Sequence, residues 1–234
     1  EMTNILEPDR PRLKSLARPE AEDESVKAFS TLAHDLGLWL NIGSLALKGP
    51  GERLLNRSLF FAPDGSVAAR YDKIHLFDVD LPTGERHRES SAYTPGESAT
   101  VVDLPWVRMG LTICYDMRFS YLYRALAKAG AGIISVPAAF TRPTGAAHWE
   151  VLLRARAIET GSFVLAPAQG GTHEDGRATW GRSIIIAPWG EVLALADHDE
   201  PCVITAELDL DQIAIARNAI PALRHDRDFS GPSA

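Results

Sequence analysis

The hydrophobic positions of this chain switch repeatedly between helical spacing and short strand-like runs. Residues 22–36 predict a helix, because one of its faces carries the apolar side chains Val26, Phe29, Leu32, Ala33 and Leu36. Residues 38–45 predict a strand. Two pairs of apolar runs, 55–62 with 66–71 and 183–187 with 192–195, predict hairpins, because a turn containing Pro and Gly joins each pair.

Two strand-then-helix units lie between the hairpins: strand 107–113 with helix 120–129, and strand 132–136 with helix 147–160. A further strand, 163–168, follows. The runs IISVPA and FVLAPA are apolar on both faces, which is typical of strands covered on both sides. Alternating strands and helices with short links predict an α/β fold. We expect one domain over residues 1–234, with a polar tail at 224–234.

Charge and composition exclude several classes of protein. The chain has 24 basic and 31 acidic residues, a net charge of -7, and no run of Lys or Arg that could follow a phosphate backbone. We therefore expect no nucleic acid partner. No stretch reaches the roughly 18 apolar residues of a membrane span, and no secretion signal is visible. Two cysteines in 234 residues do not make a disulfide framework. These features predict a cytoplasmic protein.

Cys114 is the first candidate for chemistry, because it lies where an apolar strand gives way to a polar turn and then a helix. We expect such a nucleophile to be exposed and held stiffly. In a doubly covered sheet, ligands bind beyond the carboxyl ends of the strands, where Cys114 is predicted. A catalytic thiol needs a nearby base or cation. Four residues could form a Cys-His pair, and the sequence selects none of them: His75, His87, His148 and His173.

Lys73 is a second candidate, because it ends an apolar strand immediately before a loop rich in Asp and His. Taken alone, a lysine at a strand end is more often an ordinary solvated residue. Glu85 and Glu89, in the loop that follows, are by default surface carboxylates.

Several segments together resemble the nitrilase superfamily of carbon-nitrogen hydrolases: YDKIHLFDVD, GLTICYDMRF, GAAHWEVLLRARAIET and APWGEVLA. The resemblance covers nearly the whole chain, and it is strongest to the branch that contains ω-amidases and deaminated-glutathione amidases. It implies a four-layer αββα sandwich. It also implies a leading strand-helix-strand unit before Glu1, which the sequence in hand does not include.

The resemblance further implies a Glu-Lys-Cys triad. Cys114 matches the nucleophile, and Lys73 matches the lysine that stabilises the tetrahedral intermediate together with the backbone N–H of Tyr115. Glu1 matches the general base, and Glu89 resembles a second glutamate that positions the lysine and the substrate.

Other residues have both a functional and a structural interpretation. Phe140 and Thr141 follow a central strand and are expected to form pocket walls. Arg118 and His148 are candidates for substrate binding, although Arg118 could equally form a buried ion pair with Asp116. The remaining expectations are structural: a buried strand position for Cys202, and packing roles for Trp180 and Trp189.

The expected reaction is hydrolysis of a linear amide C–N bond in a small carboxylate-bearing substrate, with release of ammonia through a cysteine thioester. A nitrilase or an N-carbamoyl amino acid hydrolase would use the same triad. A non-catalytic member that binds a metabolite or a protein is the alternative outside the enzymes. We expect no metal or organic cofactor, since the mechanism needs no Lewis acid or electron sink. The resemblance also implies a homodimer or a larger homo-oligomer.

Overall fold

The computed structural model describes residues 1–232. Its helices are α1 (Arg10–Leu16), α2 (Glu24–Leu36), α3 (Ser120–Lys128), α4 (Arg142–Thr160) and α5 (Asp211–Ala219), with short 3₁₀ turns at Glu89–Ser91, Cys114–Arg118 and Ala222–Arg224. The first strands are β1 (Leu40–Asn41), β2 (Leu45–Lys48), β3 (Leu54–Phe61), β4 (Val67–Asp72), β5 (Asp78–Asp80), β6 (Arg86–Arg88) and β7 (Thr100–Asp103). The later strands are β8 (Arg108–Leu111), β9 (Ala131–Ser135), β10 (Phe163–Ala166), β11 (Gly170–Thr172), β12 (Ala178–Trp180), β13 (Ile184–Ile186) and β14 (Val192–Leu195).

Two sheets and their helices form four layers. In the first sheet, β3 pairs with β4 on one side and with both β1 and β2 on the other. The second sheet has the strand order β14-β13-β10-β9-β8-β7; its central strands β8, β9 and β10 are parallel. Helix α2 packs on the first sheet, and α3 and α4 pack on the second. The α/β class predicted from the sequence is confirmed, with the layer order αββα.

Strand β3 explains why the two sheets stack. Successive side chains of a strand point to opposite faces. Leu59 and Phe61 accordingly join a buried cluster with Ala33 of α2, whereas Phe60 joins the core that contains Ile113 beside the second sheet. Because both faces of β3 are covered at Leu59, Phe60 and Phe61, these three residues are apolar without interruption.

The helix boundaries follow from their capping residues. Helix α2 begins after Asp23, whose carboxylate accepts hydrogen bonds from the amides of Ser25 and Val26, and it ends at Gly37 with φ of 61°. The prediction that the second long helix starts at 147 was wrong, because α4 begins at Arg142. Pro143 is tolerated in the first turn, where its missing N–H costs no intrahelical hydrogen bond.

Three further expectations need correction. The strand predicted at 38–45 is divided into β1 and β2, since Gly43 adopts φ of 76° between them. Cys202 is exposed rather than buried, because its segment joins no sheet among the described residues. Trp189 is 53% exposed, because it occupies the tip of the turn between β13 and β14. None of the described helices has the length and apolar character needed to cross a bilayer.

Gly96 is a point where the fold tolerates no side chain. Its amide donates to the carbonyl oxygen of Lys73 at 2.8 Å, and a Cβ placed on Gly96 would overlap the backbone carbonyl of Asp72. We expect Gly96→Ala to lower the free energy of unfolding by about 1–3 kcal/mol, since backbone atoms cannot rotate away. Urea unfolding measures this loss. Gly231→Ala, where a Cβ meets no atom within 4 Å, is the matched control; equal stability losses in the two variants would contradict the prediction.

Candidate active site

Cys114 occupies the turn between β8 and α3. Its backbone has φ of 48°, a left-handed conformation that is unusual for a residue with a side chain, and its amide donates to the carbonyl of Pro137 at 2.9 Å. This sharp turn directs the thiol into a cleft. The expectation of an exposed nucleophile was wrong, because Cys114 is only 7% exposed.

Asp116 holds this turn in place. One of its carboxylate oxygens accepts from the amide of Ile113 at 2.9 Å and from the hydroxyl of Tyr71 at 2.7 Å. The other accepts from the amide and the ring Nδ1 of His75, at 3.0 and 2.7 Å. This buried carboxylate therefore ties the Cys114 turn to the residues on both sides of Lys73. The ion pair considered between Asp116 and Arg118 is not formed, because His75 occupies the carboxylate instead.

Lys73 lies in the interior rather than at a solvated strand end. Its Nζ is 2.7 Å from the Glu1 carboxylate and 2.8 Å from the Glu89 carboxylate, and its side chain is 2% exposed. Glu89 is held in place as well. Its Oε2, the oxygen that contacts Lys73, also accepts a hydrogen bond from the Phe77 amide at 2.7 Å. The structure thus brings together Lys73, Glu1 and Glu89, which are far apart in the sequence.

The protonation states in this cluster follow from burial and from its charges. Burial alone would lower the pKa of Lys73, but the carboxylates of Glu1 and Glu89 outweigh that effect and raise it above its ordinary value. Burial opposes ionisation of Glu1, yet the ammonium of Lys73 holds the pKa of Glu1 well below its usual range. Burial, and then the Glu1 carboxylate, raise the pKa of the Cys114 thiol. These directions keep Lys73 protonated, Glu1 ionised and the Cys114 thiol neutral at neutral pH.

The four histidines considered as thiol partners make other contacts. His75 binds Asp116, His87 lies 3.4 Å from Glu85, His148 lies 3.3 Å from Arg118, and His173 lies 2.8 Å from the Thr179 hydroxyl. Within the described residues, none of these histidines makes a hydrogen bond with Cys114. The charged side chains that act on the thiol are instead the Glu1 carboxylate and the Lys73 ammonium, which line the same cleft.

The cleft above Cys114 has a volume of about 990 Å³. Phe140, Thr141 and Tyr115 are among its walls. Charged residues of both signs line it as well: Arg10, Arg86, Arg88, Arg142, Arg177, Glu7, Glu85 and Asp175, besides Lys73, Glu1 and Glu89. Arg118 and His148 are not among the lining residues. Arg118 lies over the rings of Tyr115 and Phe140 instead, at 5.8 and 5.5 Å from their centroids. This geometry therefore gives no support to the predicted contact of Arg118 and His148 with a substrate.

The amide of Tyr115 is available to a ligand. It directly follows Cys114 in the chain, and it donates no hydrogen bond to another group in residues 1–232. This N–H next to the thiol, together with the Lys73 ammonium in the same cleft, can stabilise negative charge on a carbonyl oxygen.

Asn56, on β3, was missed by the sequence interpretation. Its side-chain amide donates to Glu1 at 2.9 Å and to Glu89 at 3.1 Å, and its backbone carbonyl accepts from Lys73 at 2.9 Å. The available signal was a polar residue at a position that the strand alternation predicts to be buried, since buried polar groups require partners. The described residues contain no group of three His, Cys, Asp or Glu side chains arranged to hold a metal ion.

We expect Asp116→Asn to lower the free energy of unfolding by about 3 kcal/mol, because an amide nitrogen would then face groups that donate hydrogen bonds. Urea unfolding tests the loss. Glu150→Gln alters an exposed ion pair, 3.4 Å from Arg154 on the surface of α4, and should change stability by less than about 0.5 kcal/mol. Similar effects of the two substitutions would show that Asp116 does not hold the turn.

Comparison with known proteins agrees with this geometry. Residues 5–218 match the carbon-nitrogen hydrolase family. The chain is 44% identical to deaminated glutathione amidase of Yersinia enterocolitica, covering 85% of this chain and 70% of the relative. It is 39% identical to omega-amidase NIT2-B of Xenopus laevis, covering 88% and 74%.

Solved structures support the same grouping. The crystal structure of the C. elegans NitFhit protein superposes with a TM-score of 0.85 at 36% identity, covering 97% of this chain. The match spans 55% of the NitFhit chain. With the sandwich, the buried Lys73 cluster and the Cys114 turn already described, these matches show that the chain belongs to the carbon-nitrogen hydrolase family.

Proposed function

We propose that this chain hydrolyses the C–N bond of small linear amides, with Cys114 as nucleophile, Glu1 as general base and Lys73 as oxyanion donor. The observation that carries this proposal is the buried Lys73 ammonium, held between two carboxylates beside a neutral thiol. Cysteine with a separate base and a fixed cation suits acyl transfer, in which a nucleophile must lose a proton while an oxyanion forms.

In the first half of the reaction, the Cys114 sulfur attacks the amide carbonyl while Glu1 accepts the thiol proton. The Lys73 ammonium and the Tyr115 amide stabilise the oxyanion. Glu1 then passes the proton to the amide nitrogen, the C–N bond breaks, and ammonia leaves. The acyl group remains attached to Cys114 as a thioester.

In the second half, Glu1 accepts a proton from water while the water oxygen attacks the thioester carbonyl. The same two donors stabilise the second oxyanion. The C–S bond breaks, the Cys114 sulfur recovers the proton from Glu1, and the carboxylic acid leaves. One carboxylate therefore serves both steps as acid and base.

Glu89 differs from Glu1 because both of its oxygens are occupied. One accepts from Asn56, and the other accepts from Lys73 and the Phe77 amide. This arrangement favours a role for Glu89 in positioning Lys73 rather than in transferring protons.

The cleft offers one arginine to an anionic substrate group. Its lining includes five arginines and five acidic residues, and Arg10 is the arginine among them that makes no salt bridge within the described residues. The relatives named as deaminated glutathione amidase and omega-amidase act on amides according to their names, which supports the same class here. We assign Phe140 and Thr141 to the pocket wall. A homodimer and a cytoplasmic location remain predictions from the resemblance and the composition.

A panel of substrates tests the proposed reaction. We expect ammonia release from deaminated glutathione or α-ketoglutaramate to exceed release from a simple nitrile and an N-carbamoyl amino acid, because the site combines an amide-cleaving arrangement with Arg10, an arginine without a salt-bridge partner among the described residues, in the cleft wall. Coupled ammonia detection gives kcat/KM for each compound. Preference for the nitrile or carbamoyl compound would reassign the reaction, and no release from any compound would favour a binding protein.

The two cysteines provide a matched pair of variants. Cys114→Ala should abolish ammonia release, because it removes the sulfur that forms the thioester. Cys202→Ala removes an exposed thiol and should keep kcat within about 2-fold of the unmodified chain. Steady-state ammonia release on the preferred amide measures both. Substantial turnover by Cys114→Ala would refute the nucleophile assignment.

A further inference from the structure

We propose that Asn56 is a positioning residue that aims the Glu1 carboxylate at the Cys114 thiol. This inference rests on the proposed function, in which Glu1 transfers the protons. Asn56 touches neither the cleft nor the thiol, so any effect on the reaction must pass through the carboxylates that it contacts.

The two oxygens of Glu1 have different surroundings. Oε1 accepts from the Lys73 ammonium at 2.7 Å and from the Asn56 amide at 2.9 Å. Oε2 accepts no hydrogen bond from the other described residues. Two donors on one oxygen fix the rotation of the carboxylate, and they leave the second oxygen available to the thiol.

Asn56 is itself held rigidly. It pairs with Ala46 on β2, and its carbonyl accepts from the Lys73 amide at 2.9 Å. The residue is 1% exposed, so its side chain has no alternative partner in solvent. Rigid support of this kind is what a group needs if it is to fix the orientation of another.

The orientation of the Asn56 amide is also determined. Its nitrogen faces two carboxylates, and a reversed amide would place its oxygen against them. The result is that Oδ1 is buried without a hydrogen-bond partner in the described structure. Such an unpaired buried acceptor is unfavourable. A residue that served packing alone would avoid it, and the two bonds to Glu1 and Glu89 explain why asparagine is present.

Asn56→Leu tests the inference, because leucine has a similar size and lacks the amide donor. Ser58→Ala is the control: Ser58 is buried on the same strand and its hydroxyl donates to Asn41 at 3.2 Å, away from the glutamates. We expect Asn56→Leu to lower kcat on the preferred amide by about 10- to 100-fold with KM within about 3-fold. Ser58→Ala should change both by less than about 3-fold.

A second measurement separates positioning from a general loss of structure. Iodoacetamide alkylates thiols, and peptide mass spectrometry gives the rate at Cys114 relative to that at the exposed Cys202 in the same molecule. Loss of an oriented base should lower this ratio by about 10-fold or more, because the thiol proton has no acceptor in place. Loosening of the fold would raise the ratio by exposing the buried Cys114.

These outcomes decide the inference. A raised or unchanged alkylation ratio in Asn56→Leu, or an unchanged kcat, would overturn it. If Asn56→Leu does not fold, Asn56→Ala removes the same donor without adding bulk. Failure of both variants to fold, while Ser58→Ala folds, would assign Asn56 to structure alone. If the unmodified chain hydrolyses no amide, the proposed function fails, whereas the alkylation ratio still tests whether Asn56 orients Glu1 toward Cys114.

Discussion

The constraint on which this structure depends is the burial of the Lys73 ammonium. A charge that is 2% exposed is tolerable only if carboxylates and fixed dipoles replace the water it has lost. Glu1 and Glu89 supply those carboxylates from two different segments, the chain start and the turn after β6. The chain start, the end of β4 and the loop after β6 must therefore meet at one point, and the strand pairing of β3 places Asn56 there as well.

A second buried carboxylate links this cluster to the nucleophile. Asp116 accepts two hydrogen bonds from His75 and one from Tyr71, which lie on either side of Lys73, and one from Ile113 before Cys114. The left-handed backbone of Cys114 would relax if it were not held on both sides. The distance between thiol and ammonium is thus set by backbone anchors rather than by the two flexible side chains themselves.

The sequence predicted the elements that depend on local signals and the residues that carry a family resemblance. Hydrophobic periodicity predicted the helices that the structure has as α2 and α3. Motifs shared with the family identified Cys114, Lys73, Glu1 and Glu89 as candidate site residues. Contacts between distant segments could not be predicted from the sequence. Asp116 binds His75 rather than Arg118, and Asn56 donates hydrogen bonds to both Glu1 and Glu89. The position of Asn56 in β3 indicates that its side chain is buried and needs a partner, but it carries no local sign of which groups will face it after folding.

The charges of the cluster also bear on the choice of substrate. Burial, and then the Glu1 carboxylate, disfavour a preformed thiolate at Cys114 and outweigh the Lys73 ammonium, which favours one. In the proposed reaction the proton must therefore leave sulfur as sulfur attacks, and it then resides on Glu1, next to the leaving nitrogen. An amide nitrogen leaves only after it gains a proton. The neutral state of the thiol makes Cys114 a poor nucleophile before attack, but the thiol proton that Glu1 then accepts is the proton that amide cleavage requires.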